Sequence, residues 1–183
     1  RVPSVSEHCI RGLMTLVRTC SEEQVVAASV VAIRRLLRFA PGERVSGVRC
    51  LVRLLKAVTA PTARASIVWI AGEYADIIPE LAPDVLRILA KNFSNESVEV
   101  KAQILNFAMR LYMRIGDKSQ QIETKGFAED TVRKLFRYVV ELATYDMDYD
   151  LRDRARLVSG LLLGAGGEKI RAQRANHGRS AQR

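Results

Sequence analysis

Apolar residues recur at intervals of three and four along nearly the whole chain and nowhere alternate over the length of a strand. That spacing gives a helix one buried stripe, because side chains three and four positions apart share a face. The pattern predicts eight helices. The first covers residues 6–20 with Ile10, Leu13, Met14 and Val17 on one face. Ser21 and Gln24 form a candidate capping box for the second, whose inward stripe is Val26, Val30, Ile33 and Leu37 and which Pro41 ends. The third, residues 43–58, carries Val48, Leu51 and Leu55. The fourth follows Pro61 and carries Ile67, Trp69, Ile70 and Tyr74.

Pro79 and Pro83 bracket the entry to a fifth helix built on Val85, Leu86, Leu89 and Phe93, with Ser94 and Asn95 punctuating its end. The sixth, residues 97–115, turns Val100, Ile104, Phe107, Ala108 and Leu111 inward. Residues 116–125 are polar and read as a loop. Val132, Leu135, Phe136, Val139 and Leu142 mark the seventh helix, and the eighth runs over residues 150–163.

Alternate helices start near residues 6, 43, 82 and 126, a spacing of roughly 37 to 44 residues. Two-helix HEAT and armadillo units repeat at about 40–47 residues. Residues 25–33 are apolar on more than one face, as a helix stacked between neighbouring repeats must be. The fold predicted is therefore all-α, a HEAT/armadillo-like α-solenoid of about four helical pairs over residues 1–163. Few aromatics (6%), 11 Gly and 5 Pro agree with helices rather than with a turn-rich sandwich or barrel. Residues 164–183, rich in Gly and Arg, read as a disordered basic tail. The chain opens on Arg1, which suits a segment of a longer trunk.

Charge adds a second theme. Lys and Arg outnumber Asp and Glu by 29 to 20, a net charge of +9, which points to an acidic partner. The tail holds five of these cations against Glu168 alone. Arg34, Arg35 and Arg38 end the second helix, while Arg49, Arg53 and Lys56 follow the third at helical spacing. Arg133, Lys134 and Arg137 do the same on the seventh. Cations near helix C-termini are favoured by the helix dipole without any partner. The first two rows are also a candidate surface for an anionic partner. Nucleic-acid readers interleave aromatic residues for stacking, and these helices offer almost none, so no nucleic acid is expected.

Catalytic motifs are incomplete. Asp146, Asp148 and Asp150 open like a calcium loop, but Leu151 and Leu157 stand where Gly and a bidentate Glu are needed. Gly164, Gly166, Gly167 and Lys169 complete no phosphate loop. His8 and Cys9 lack a fourth ligand at usable spacing, and His177 lies in the tail, so no Ser/His or Cys/His pair is evident. The expectation is a protein that is not an enzyme and needs neither metal nor cofactor. Cys9, Cys20 and Cys50 are odd in number and suit a reducing, cytosolic compartment better than a disulfide framework. No run approaches the roughly 20 apolar residues of a membrane span.

One segment is more specific. Ala63, Arg64, Ala65, Ile67, Trp69, Gly72, Glu73 and Tyr74 stand in the register of a signature that resembles the trunk of beta-adaptins. These are large subunits of heterotetrameric adaptor complexes that select vesicle cargo. Ala82, Pro83, Asp84, Val85, Leu86 and Arg87, with Ala90, Lys91 and Phe93, are similar to the beta subunit of the third adaptor complex. So is the stretch Tyr149, Asp150, Leu151, Arg152, Asp153 and Arg154, with Arg156. The likeness covers residues 5–163 and ends there.

The resemblance implies a coat-adaptor scaffold acting in transport from Golgi or endosomes toward the lysosome or vacuole. Its implied partners are the longin-like domain of the medium subunit and the other large subunit. A small GTPase and anionic lipid would recruit the complex from cytosol to Golgi and endosomal membranes. The matched residues read as structural. Gly72 inside a helix costs about 1 kcal/mol against Ala, which suits close packing beside Trp69. Arg64, Glu73, Asp150, Arg152, Asp153 and Arg154 have the composition of ion pairs between helices. The alternative reading is a HEAT-type solenoid that binds nucleic acid or transport cargo through its basic faces.

Overall fold

A computed structural model describes residues 5–118 and 126–164. Among them are eight α-helices: α1 (Val5–Thr19), α2 (Glu23–Leu36), α3 (Arg44–Leu54), α4 (Pro61–Glu73), α5 (Ala82–Lys91), α6 (Val98–Lys118), α7 (Gly126–Thr144) and α8 (Tyr149–Leu162). Short 3₁₀ turns at Pro41–Glu43 and Phe93–Asn95 precede α3 and α6. The chain divides into two compact units, residues 1–85 and 86–183.

In the first unit α2 packs on both α1 and α4, and α3 touches α1 and α4. Helices two apart in sequence therefore meet, which is how a solenoid stacks successive layers. The predicted stripes form the core: Ile10, Met14 and Val17 of α1, then Val26, Val30, Ile33 and Leu37, and then Val48, Leu51 and Leu55, are all buried. α4 is buried on most of its circumference, through Ala63, Ser66, Ile67, Val68, Ile70, Ala71 and Gly72. Pro61 sits at its first turn, where the missing N–H costs nothing.

In the second unit α7 packs on α6 and α8, and α6 also reaches α8. Phe93, Ile104, Phe107 and Phe136 fill this core. The rings of Tyr112 and Phe136 stack with centroids 4.2 Å apart.

Several boundaries differ from expectation, each for a local reason. α2 begins at Glu23, and its N-cap residue Glu22 makes no side-chain capping bond; Ser21 and Gln24 form no box. α3 stops at Leu54 because the chain tightens into i→i+3 bonds, from Leu55 N–H to the Val52 carbonyl and from Ala57 N–H to that of Leu54. Phe93–Asn95 is a turn rather than a cap. The predicted loop begins too early, since residues 116–118 extend α6; its remainder, residues 119–125, lies outside the described residues. So does the predicted tail apart from Gly164. Cys9, Cys20 and Cys50 are free thiols. Among the described residues no helix is long and apolar enough to cross a membrane.

Candidate functional site

The signature on α4 is built into the packing of the first unit. Arg64 turns its guanidinium back onto the end of α3 and donates to the carbonyls of Leu55 and Val58. The Leu55 oxygen belongs to the class a helix C-terminus leaves without an intrahelical partner, and Val58 lies just past the turn that follows α3. Trp69 is half-buried, and the Arg34 guanidinium of α2 lies 5.2 Å above its ring, within cation–π range. Tyr74 ends the helix, with Arg44 6.0 Å from its ring centroid. Gly72 is buried and Glu73 is half-buried.

The motif on α8 corrects the expectation of ion pairs between helices. Asp150 pairs with Arg154 at 2.8 Å and Asp153 with Arg156 at 3.3 Å, both within α8 and both exposed. Arg152 lies 4.2 Å over the ring of Tyr149, one turn back. Side chains three and four apart on one helix are neighbours, so these groups satisfy one another before reaching another element. Two pairs that join separate elements were not signalled by any motif. Arg11 of α1 meets Glu43 at 2.7 Å, and Lys101 of α6 meets Asp146, in the turn after α7, at 2.7 Å.

The three aspartates that open like a calcium loop are used otherwise. Asp148 caps α8 by accepting from Leu151 N–H at 2.8 Å. Asp146 accepts from Lys101 and from Asp148 N–H. Burial pushes the Asp146 carboxyl up, but the Lys101 hydrogen bond and the backbone N–H donors outweigh it and hold it below the usual carboxylate range. Glu43 is likewise held low, chiefly by its hydrogen bond from Arg11 and then by that from Ser46.

Residues 1–165 match the family model for the adaptin N terminal region. The chain belongs to the adaptin family. Over 162 residues this adaptin is 39% identical to mouse AP-3 complex subunit beta-1, covering 88% of the present chain and 13% of the mouse protein. The AP-3 complex subunit beta of Dictyostelium discoideum is 32% identical over 200 residues, covering 86% of this chain and 18% of that one. A homology model of the full-length AP-3 complex in an intermediate open conformation contains a chain of the same fold. It superposes with a TM-score of 0.70 at 32% identity, over 84% of this chain and 27% of that one. The present adaptin thus spans less than a quarter of the length of these curated relatives.

The remaining candidate surface is the basic one. Residues 24–72 of this adaptin hold eight cations and the single acid Glu43. Three of the cations have structural employment. Arg44 donates to the carbonyls of Leu37, at 2.8 Å, and Arg38, at 2.7 Å, at the end of α2. Arg64 serves the end of α3 in the same way, and Arg34 covers Trp69.

Arg35, Arg38, Arg49, Arg53 and Lys56 are all exposed and make no ion pair among the described residues. Their spacing puts Arg49 and Arg53 on one face of α3, while Lys56 lies in the turn after α3 and Arg38 in the turn after α2, whose last turn holds Arg35. Phe39, 75% exposed, follows directly on Arg38. Phe39 falls off the inward stripe of Val30, Ile33 and Leu37, so hydrophobic spacing alone gives it no place.

Proposed function

We propose that this chain is part of the trunk of a beta-type large subunit in an adaptor complex like AP-3, and that it works as a scaffold without catalysing a reaction. The observation carrying this reading is the structural match to a chain of the AP-3 complex, at a sequence identity high enough to extend beyond fold. Burial supports it too: the signature residues of α4 and the stripes of α1 to α3 are spent on packing helices, which is what a rigid support requires.

The finer reading is that the segment helps hold the longin-like domain of the medium subunit and meets the other large subunit. The assembled coat would then be brought from cytosol to Golgi or endosomal membranes by a small GTPase and sort cargo toward the lysosome or vacuole. Co-expression with the longin-like domain followed by size-exclusion chromatography in moderate salt tests it. A stable one-to-one peak is expected. A folded chain that elutes alone at every ratio overturns the assignment of that partner.

The surplus cations extend this reading to the membrane. Arg35 and Arg53 stand in the last turns of α2 and α3, where the dipole favours a cation, but the heads of Arg35, Arg38, Arg49, Arg53 and Lys56 are all exposed and make no ion pair among the described residues, so they stay open to an anion. Exposed cations beside an exposed Phe have the composition of a contact with an anionic bilayer, where each cation near the surface contributes about 1 kcal/mol. Co-sedimentation with vesicles of phosphatidylcholine alone or mixed with phosphatidylserine tests it. Binding should need the anionic lipid and vanish when all five cations become Gln. Equal binding by that variant, or a preference for polynucleotide over vesicles, overturns it.

A further inference from the structure

The corner between α2 and α3 is apolar at its tip and cationic on both flanks. Phe39 is 75% exposed and Val45 is 42% exposed. Pro41 and Gly42 between them are exposed as well. Arg35 and Arg38 precede this tip in the chain, and Arg49, Arg53 and Lys56 follow it, all exposed. Val45 and Arg49 stand one turn apart on the same face of α3. Glu43 is the single acid of residues 24–72, and Arg11 already holds its carboxylate at 2.7 Å.

The exposure of Phe39 is built into the turn. Its N–H donates to the Leu36 carbonyl at 2.9 Å, and Arg44 donates to the carbonyls of Leu37 and Arg38. Leu37 and Ala40, on either side of the Arg38–Phe39 pair, are anchored in the core at 0% and 1% exposure, which leaves the ring outside. Beyond the 3₁₀ turn, Ser46 donates to Glu43 at 2.8 Å, so the far end of the corner is fixed too. A ring held on an ordered turn loses little further freedom on binding. Large exposed apolar side chains rimmed by polar groups mark interaction sites rather than surfaces that meet only water.

We infer that this corner inserts into an anionic bilayer, with Phe39 and Val45 in contact with the acyl chains and the five cations at the level of the headgroups. The inference rests on the membrane reading of those cations given above, and adds that hydrocarbon is a ligand of this surface alongside charge. The composition selects a bilayer. An apolar tip flanked by Lys and Arg is what interfacial segments bury at the boundary of headgroups and acyl chains. The long stems of Arg and Lys let their heads stay in water while the tip goes deeper. Charge supplies attraction at a distance, and the ring supplies a short-range contact that salt does not screen.

The test is co-sedimentation of the full chain with vesicles of phosphatidylcholine and phosphatidylserine, comparing the parent with Phe39→Ser. The variant should bind about tenfold more weakly, the fold-change expected for one Phe side chain left in water. Its circular dichroism and melting should match the parent's. Equal binding by Phe39→Ser, with loss only when the five cations become Gln, overturns insertion and leaves an electrostatic contact standing. Failure of the parent itself to bind these vesicles overturns the membrane reading and insertion together.

Depth is read with Phe39→Trp, which keeps an apolar ring at the tip. Bound to vesicles whose phosphatidylcholine is brominated on its acyl chains, this variant should be quenched beyond the parent, whose single Trp69 is half-buried. A vesicle-bound variant quenched no more than the parent overturns insertion, and assigns Phe39 to a protein contact instead.

Discussion

Lys101 and Asp146 stand 45 residues apart in sequence and 2.7 Å apart in space, with side chains 12% and 8% exposed. The pair ties the first turns of α6 to the turn between α7 and α8. Removing one member of a buried pair leaves the other uncompensated, at a cost of about 3–5 kcal/mol. Lys101→Met is expected to lower unfolding stability by about 3 kcal/mol in denaturant titration. Joining it to Asp146→Leu should recover much of that loss, since neither charge then needs solvation.

The same carboxylate and Glu43 give stability a dependence on acid. Both have folded-state values below their ordinary ones, so their contribution is complete above the unfolded value of about 4. It is lost as pH falls through the folded value. Melting temperature should therefore fall on acidification below about pH 4, and fall less steeply in Asp146→Asn. Glu43→Gln should change the slope less, because Arg11 is 58% exposed and water screens that pair.

Arg64 should matter for what it donates rather than for its charge. Arg64→Met leaves the Leu55 and Val58 carbonyls without this donor, a loss of about 1–3 kcal/mol readable in thermal unfolding. The expectation at Arg35 and Arg38 is the reverse. Changing both to Gln should alter stability by no more than about 0.5 kcal/mol, the usual range for exposed positions.

Two glycines separate in the same assay. A Cβ on Gly47 would lie 3.2 Å from Leu37 Cδ2 and 3.6 Å from Met14 Cε, whereas one on Gly160 of α8 would meet nothing within 4 Å. Gly47→Leu should destabilise by about 1–3 kcal/mol through overpacking. Gly160→Ala should stabilise by about 0.5–1 kcal/mol, the helix-propensity gain alone.

Much of the fold was legible because helical burial is periodic. The stripes Val26, Val30, Ile33 and Leu37 on α2 and Val100, Ile104, Phe107, Ala108 and Leu111 on α6 are all buried, and the solenoid followed from their repetition. Polar partnerships were not legible. Asp150 and Arg154 suggested a bridge between helices, yet one turn of α8 already brings them within 2.8 Å. Lys101 and Asp146 carried no signal, since neither a motif nor a periodicity links positions joined only by tertiary packing. The basic surface was half legible. Its cations stand in the sequence, but that Arg44 and Arg64 are tied to backbone carbonyls while Arg35, Arg38, Arg49, Arg53 and Lys56 are exposed depends on tertiary packing.

The near-complete burial of α4 has a consequence for local opening. Amide protons leave a helix to solvent either by fraying at its ends or by collapse of whatever packs on it. With Ile67, Val68, Ile70 and Ala71 all fully buried, the middle of α4 has no short excursion that would wet its backbone. Its amides should be the slowest to exchange with deuterium in the N-terminal unit, at a rate set by that unit's full unfolding. The tryptophan signature on α4 therefore doubles as an internal gauge: a substitution in α1, α2 or α3 that weakens the unit would be read as faster labelling at Val68, on a helix the substitution leaves unaltered.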